Sequence, residues 1–149
     1  MGRLVAVLAA CLLLAGCSPA TTRAIKLNGA GQPEIIDTSC ESRTLTRVEI
    51  RAVNDDDVLD ERDPLVWQID FAQPRQHYTI TVGRVPEGGE EKVAWQPPAG
   101  GQEHDVLFYN GDLWEPGDSF TLDELKDGKV RFQYRYLTAG EFAKERVSC

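Results

Sequence analysis

Four stretches of this 149-residue chain alternate apolar and polar residues with a period of two. A β-strand points successive side chains to opposite faces of its sheet, so this alternation predicts strands with one buried and one solvated face. The stretches lie at 48–52, 65–71, 78–82 and 130–136. Their apolar positions form the predicted core, which is Val48, Ile50, Ala52, Leu65, Trp67, Ile69, Phe71, Tyr78, Ile80, Val82, Val130 and Phe132, and Tyr134 and Tyr136 are predicted in the core or at its rim.

Shorter apolar runs and turn signals complete the pattern. The runs 92–95, 106–109 and 119–122 are candidate strands, and the run 142–147 is a candidate pairing segment. Asn110-Gly111 predicts a two-residue hairpin turn, and the only helical signal is a single turn within 121–128. About seven short strands in roughly 110 residues predict an all-β fold, a small antiparallel two-sheet sandwich of immunoglobulin-like size. The alternative is a small open β-barrel.

The N-terminus has a different composition. Arg3 precedes an apolar stretch at 4–14, which is shorter than the roughly 18–20 residues that a membrane-spanning helix needs. The residues that follow, Leu14-Ala15-Gly16-Cys17, resemble the lipobox of bacterial lipoprotein precursors. In that family the leader is cleaved before the cysteine, whose thiol carries a diacylglyceryl group, and acyl chains such as palmitate are added at the new N-terminus.

This resemblance implies a signal peptide at 1–16, a lipid on Cys17, and an extracytoplasmic protein anchored to a bacterial membrane. Residues 17–39 contain small, polar and turn-forming residues, which predict a flexible tether. Apolar residues within 25–36 leave an extra edge strand or hairpin as the alternative. The sandwich domain is predicted at 40–149.

The four cysteines divide by position. Cys11 is lost with the leader and Cys17 is taken by lipid, which leaves Cys40 and Cys149 at the two ends of the predicted domain. In an oxidising compartment this pair predicts a disulfide, and closing a loop of about 100 residues is worth up to ~4.7 kcal/mol. The alternatives are two free thiols or a redox site, although a redox site usually has a C-x-x-C arrangement, which is absent.

The charge balance argues against nucleic-acid binding, because an acidic body repels nucleic acid and anionic lipid head groups. The chain has 16 Lys and Arg against 24 Asp and Glu, a net charge of −8, and loss of Arg3 with the leader makes it more acidic still. Six carboxylates lie within 54–63, but this segment lacks the central glycine and closing glutamate of an EF-hand loop. We therefore predict a solvated acidic loop, with calcium binding as the alternative.

No catalytic or metal-binding pattern is present in the sequence. His77 and His104, the only histidines, have no partner at ligand spacing and are predicted at the surface, and no serine lies in a G-x-S-x-G turn. The sequence therefore predicts no enzyme, no metal site and no cofactor. Two tryptophans, Trp95 and Trp114, each lie at a strand end beside a proline-containing loop. Such residues are candidate anchors for a partner, and the alternative is that they close the ends of the sandwich.

These features together predict a non-catalytic binding module of the bacterial cell envelope. Its partners are the membrane, through the lipid on Cys17, and an envelope protein or carbohydrate at Trp95 and Trp114. One alternative is a carbohydrate or small-ligand receptor that uses the same aromatic side chains. Another is an envelope hydrolase whose site is dispersed along the chain.

Overall fold

A computed structural model of the chain describes residues 22–40, 43–54, 59 and 62–145. These residues form two antiparallel five-stranded sheets, one short α-helix and a 3₁₀ turn at Lys126–Gly128. The elements are β1 (Arg23–Leu27), β2 (Pro33–Asp37), β3 (Leu45–Ala52), β4 (Leu65–Arg75), β5 (Thr79–Thr81), β6 (Gly89–Val93), β7 (Glu103–Asn110), β8 (Leu113–Thr121), β9 (Val130–Phe132), β10 (Arg135–Leu137) and α1 (Ala139–Glu145).

The strands divide cleanly between the two sheets. The first sheet has the order β10-β9-β1-β2-β5, and the second has the order β6-β4-β3-β7-β8. The predicted all-β sandwich is therefore confirmed, and the strands do not close into the alternative barrel. In the second sheet, β3 pairs with β4 on one side and with β7 on the other.

The core lies between the two sheets and is built by their alternating inward-facing residues. Ile25 and Ile35 of the first sheet join one apolar cluster with Val48 and Trp67 of the second. Most predicted core positions are confirmed as buried, namely Val48, Ile50, Trp67, Ile69, Phe71, Tyr78, Ile80, Val82, Val130 and Phe132. The Trp67 indole Nε1 also donates a hydrogen bond to Glu91 at 3.0 Å, so the buried ring has a partner for its polar atom.

The segment predicted as a tether contributes two strands, and this prediction is corrected. β1 pairs with β2 and with β9, so it is an interior strand of the first sheet. The alternative of a hairpin in this segment is confirmed, although β1 is not the edge strand we expected. Its turn looked like a linker because it is rich in Gly and Asn. The Asn28 carboxamide in fact accepts hydrogen bonds from the backbone N–H groups of Ala30 and Gln32 at 2.9 and 3.0 Å.

The predicted strand at 130–136 is broken in its middle. Gln133 and Tyr134 have φ angles of 50° and 62°, which form a tight turn between β9 and β10. The Tyr134 side chain is consequently 54% exposed, which excludes the core and leaves the rim of the two places predicted for it. Asp118 of the second sheet accepts a hydrogen bond from the Tyr134 backbone N–H at 2.8 Å and so holds this turn against β8.

The candidate pairing run at 142–147 is instead helical where the structure describes it. The Thr138 hydroxyl accepts a hydrogen bond from the Glu141 N–H at 3.3 Å, and the Glu141 carboxylate accepts one from the Thr138 N–H at 2.8 Å. This reciprocal arrangement is a capping box, which begins α1. Phe142 then packs edge-on against Phe132, with ring centroids 5.3 Å apart.

An irregularity in β8 brings two strands unusually close. Between the pairs Asp105–Ser119 and Leu107–Pro116 the register shifts, so Gly117 lies in a bulge opposite β7. A Cβ atom at Gly117 would lie 2.5 Å from Phe108 Cε2 and 3.0 Å from the Val106 carbonyl oxygen. Only glycine fits this approach, and it allows Phe108 to lie against the backbone of β8.

Some sequence predictions lie outside the described residues. These are the signal peptide at 1–16, the lipid attachment at Cys17 and the cysteine at Cys149. Cys40 is exposed and follows β2 closely, and its disulfide with Cys149 stays a prediction. Within the described part of the chain, no helix has the length and apolar character to span a membrane.

Candidate functional site

The two tryptophans predicted to share a surface lie at opposite ends of the β7–β8 hairpin. The Trp95 ring packs near His104 at the start of β7, with centroids 6.2 Å apart, and is partly buried against the core. Trp114 instead pairs with Tyr109, five residues further along β7. At roughly 3.4 Å per residue this separates them by about 17 Å. The predicted shared surface is therefore corrected, because only Trp114 is a largely exposed anchor.

Trp114 lies at the rim of an open groove of about 410 Å³. This volume is in the range of small-molecule sites, about 300–1,000 Å³. The groove is formed by the start of β1, the residues before β3 and the β7–β8 hairpin, and its principal lining residues are Arg23, Arg43, Tyr109, Leu113, Trp114 and Glu115. Leu113 and Trp114 are 76% and 54% exposed, which is unusual for large apolar side chains.

Two guanidinium groups converge on one carboxylate in this groove. Arg23 Nη2 donates to Glu115 Oε1 at 2.5 Å, and Arg43 Nη1 donates to Glu115 Oε2 at 3.0 Å. The cluster therefore carries one net positive charge in a chain whose net charge is −8. Glu115 and Arg43 are both partly exposed, so the cluster faces solvent.

Arg23 is the buried member of this cluster, with 5% of its surface exposed. Its Nε donates to the Tyr78 hydroxyl at 2.7 Å, and its guanidinium carbon lies 3.9 Å from the centroid of the Phe108 ring. Burial works to lower the pKa of Arg23, but Tyr78 and Glu115 outweigh it and raise that pKa. Burial also raises the pKa of Tyr78 to about 12, even though Arg23 opposes this shift. Arg23 thus lines the groove as a fixed cation, and it is held there by the neutral phenol of Tyr78, which does not itself line the groove.

Tyr109 joins the groove to an ion network on the outer face of the second sheet. Its hydroxyl donates to Glu49 Oε2 at 3.1 Å, and the Arg47 guanidinium carbon lies 5.2 Å from its ring centroid. Arg47 Nε also donates to Asp70 at 2.9 Å, and Glu49 forms a second ion pair with Arg51 at 3.0 Å. Burial and the nearby Glu49 carboxylate raise the pKa of Tyr109. These contacts fix the orientation of one wall of the groove.

The histidines lie away from the groove. His77 is exposed, as predicted, whereas His104 is fully buried between the rings of Trp95 and Phe120, so its predicted surface position is wrong. Burial lowers the pKa of His104, and this effect outweighs the backbone groups of Gln102 and Phe120, which act to raise it. Its position in β7, opposite Phe120 of β8, explains this burial, since that register faces the core.

No group of three or more His, Cys, Asp or Glu side chains within the described ranges is arranged to hold a metal ion. Most carboxylates of the acidic loop at 54–63 lie outside those ranges. Asp63 is described and buried, and its carboxylate accepts a hydrogen bond from the Asn54 backbone N–H at 3.3 Å, which ties together the two ends of the loop.

Sequence reasoning missed the charged residues of the groove. Arg23 lay in the predicted tether, and Glu115 lay in a segment that was noted only for its turn residues. The Arg23–Glu115 contact joins residues 92 positions apart, and the Arg43–Glu115 contact joins residues 72 apart. No local spacing signals such a pair. The exposed Trp114 was the one part of this site that the sequence indicated.

Comparisons with known proteins identified no relative of this chain. No protein-family model, no curated protein and no solved structure matches the chain. Function is therefore inferred from the geometry of the groove and from the N-terminal motif.

Proposed function

We propose that this protein is a non-catalytic binding module of the bacterial cell envelope, held on a membrane by lipid on Cys17, with the groove at the β7–β8 hairpin as its binding surface. The observation that carries the proposal is the pair Leu113 and Trp114, exposed beside a fixed cluster of ionic groups. Aromatic residues and arginine are enriched among the residues that dominate binding energy at interfaces.

The chemistry of the groove supports recognition rather than catalysis. Its charged groups are two guanidinium groups and a carboxylate that already binds both of them. These groups orient a ligand through charge and hydrogen bonds, and the rigid wall at Tyr109 lowers the cost of ordering the site on binding. The predicted Cys40–Cys149 disulfide belongs to this proposal as a clamp on the ends of the domain.

A carbohydrate receptor is the second candidate function. It is favoured by the exposed indole of Trp114, since a flat aromatic ring packs against the apolar face of a sugar while nearby polar groups hold its hydroxyls. The groove volume of about 410 Å³ suits a small ligand of this kind.

Photo-crosslinking in living cells tests the proposal. A photoreactive phenylalanine analogue replaces Trp114 in one variant and Tyr134 in a matched control, because both side chains are 54% exposed. We expect adducts from position 114 and none from position 134. A lack of adducts at position 114 would contradict a binding role for the groove, and the mass of an adduct identifies it as protein, carbohydrate or lipid.

The anchor is tested separately. Replacing Cys17 with serine is expected to abolish lipid attachment, so the variant should move from the detergent phase to the aqueous phase in detergent partitioning. Identical partitioning of the two forms, with no lipid adduct in the mass of the parent chain, would contradict anchoring at Cys17.

A further inference from the structure

We propose that the groove end of the sandwich is a second membrane contact, in which Leu113 and Trp114 enter the lipid interface and Arg43 binds a lipid phosphate beside Arg23. This inference rests on the proposed function for the lipid on Cys17. It goes further by naming the partner of the groove as the phospholipid surface that carries the protein.

The chain between the predicted anchor at Cys17 and the groove is short. Arg23 is the first residue of β1 and lines the groove, and it follows Cys17 by six residues. Even a fully extended chain covers at most ~3.6 Å per residue, so this segment spans no more than about 22 Å. Lipid on Cys17 would therefore hold Arg23, and the groove with it, within about 22 Å of the bilayer surface in any conformation of the segment.

Two apolar residues lie at the hairpin tip. Leu113 and Trp114 follow the two-residue turn of Gly111 and Asp112, at the end of the second sheet that carries the groove. Tryptophan is enriched at membrane–water interfaces, where its ring lies among the lipid head groups. A leucine beside it gains free energy from the same transfer out of water. The tip thus has the composition of an interfacial anchor.

The charges of the groove are separated along it. Arg23, Arg43 and Glu115 carry one net positive charge, and Asp112 in the turn carries one negative charge at the tip. Salt screens charges beyond about 8 Å at physiological ionic strength, so only carboxylates nearer than that to Arg43 oppose its contact with an anionic surface. Arg43 donates one hydrogen bond, from Nη1, among the described residues, which leaves Nε and Nη2 to form a bidentate contact with a phosphate.

A peptide partner fits this site less well. β8 is an edge strand, but Pro116 removes one backbone donor and the bulge at Gly117 interrupts its register. The strand also packs beside β1 of the other sheet, where Arg23 meets Glu115. An added strand at this edge would have an incomplete hydrogen-bond ladder, whereas a lipid surface needs none.

The test uses the lipidated mature chain reconstituted into vesicles of phosphatidylethanolamine and phosphatidylglycerol that contain bromine-labelled acyl chains. Bromine quenches the fluorescence of tryptophans that enter the bilayer. The variants are Trp114→Phe, which removes the reporter, and Arg43→Gln, which removes a cation. The control is Arg84→Gln, which removes the same charge from an exposed site outside the groove.

We expect strong quenching in the parent chain and in Arg84→Gln, and background quenching in Trp114→Phe. Arg43→Gln should reduce the ratio of docked to undocked protein about five-fold, the effect of one arginine near an anionic surface. Adding glycerol phosphate to the solution should leave quenching unchanged, because the contact needs lipid and not a free phosphate.

The outcomes separate this inference from the proposed function. Chains that stay on the vesicles but show equal quenching in the parent and in Trp114→Phe would overturn the membrane contact and leave the proposed binding module intact. A protein or sugar adduct at position 114 in the crosslinking experiment would likewise overturn the membrane contact and leave the proposed binding module intact. Chains that fail to stay on the vesicles would overturn the anchor and the membrane contact together.

Discussion

Replacing Gly117 with alanine is expected to destabilise the fold through one close contact. The added Cβ would lie 2.5 Å from Phe108 Cε2 and 3.0 Å from the Val106 carbonyl oxygen. Carbon atoms pack best at about 3.5–4.0 Å, so the Phe108 ring would have to withdraw by roughly 1 Å. That ring is buried, and the Arg23 guanidinium already packs on it at 3.9 Å.

The expected cost follows from this lack of space. Overpacking a well-filled core costs about 1–3 kcal/mol. We expect about 2 kcal/mol or more here, because one of the atoms in contact belongs to the backbone of β7 and cannot rotate away. In a folded domain of about 120 residues the entropy of unfolding is about 0.25 kcal/mol/K, so each 1 kcal/mol lowers Tm by roughly 4 °C and the variant should melt about 8 °C below the parent.

Thermal unfolding followed by circular dichroism measures this difference. Gly29→Ala is the matched control, since nothing lies within 4 Å of its added Cβ and its φ lies outside the left-handed region. We expect its Tm to stay within about 2 °C of the parent, the shift that roughly 0.5 kcal/mol would give. An unchanged Tm for Gly117→Ala would refute the close packing of β8 on Phe108.

Three further predictions concern the core and the cysteines. Burial lowers the pKa of His104 in the folded protein, whereas in the unfolded chain this histidine has its ordinary pKa of about 6.5. As the pH drops below that value the unfolded chain binds the proton more readily than the folded one, so the free energy of unfolding should fall. His104→Phe should flatten this part of a plot of Tm against pH, and the same slope in both proteins would contradict it. Trp67→Ala should cost about 3–5 kcal/mol in denaturant unfolding, because it empties a fully buried site, and a loss under 1 kcal/mol would argue against that burial. The exported chain should be lighter than its reduced form by two hydrogens if Cys40 and Cys149 are bonded, whereas two alkylatable thiols in the native protein would refute the disulfide.

The sequence predicted those strands in which the alternation of neighbouring residues alone determines which side chains are buried. Trp67, Ile69 and Phe71 lie two residues apart on one strand, and all three are buried. The same rule left Tyr134 in the core or at its rim, because alternation looks identical in one long strand and in two short strands joined by a tight turn. Only the positive φ angles of Gln133 and Tyr134 distinguish the two, and composition does not predict those angles.

The hairpin of β1 and β2 shows a second limit. Its strands have five residues each, and the turn between them has the Gly-rich composition of a linker. Their place inside the sheet is fixed by pairing with β9, more than 100 residues later. The groove was missed for the same reason, because the Arg23–Glu115 contact depends on how the two sheets pack and on nothing near either residue.

The most direct test of the membrane-facing groove compares how close the three tryptophans lie to the lipid head groups. The lipidated chain is placed in lipid nanodiscs that carry a paramagnetic head group, and the broadening of the three indole N–H resonances is compared. Trp114 lies at the groove, Trp95 lies at the other end of the hairpin, and Trp67 is buried in the core. We predict the strongest broadening at Trp114 and much weaker broadening at Trp95 and Trp67. Stronger broadening at Trp95 than at Trp114, or equal broadening of all three, would contradict the account.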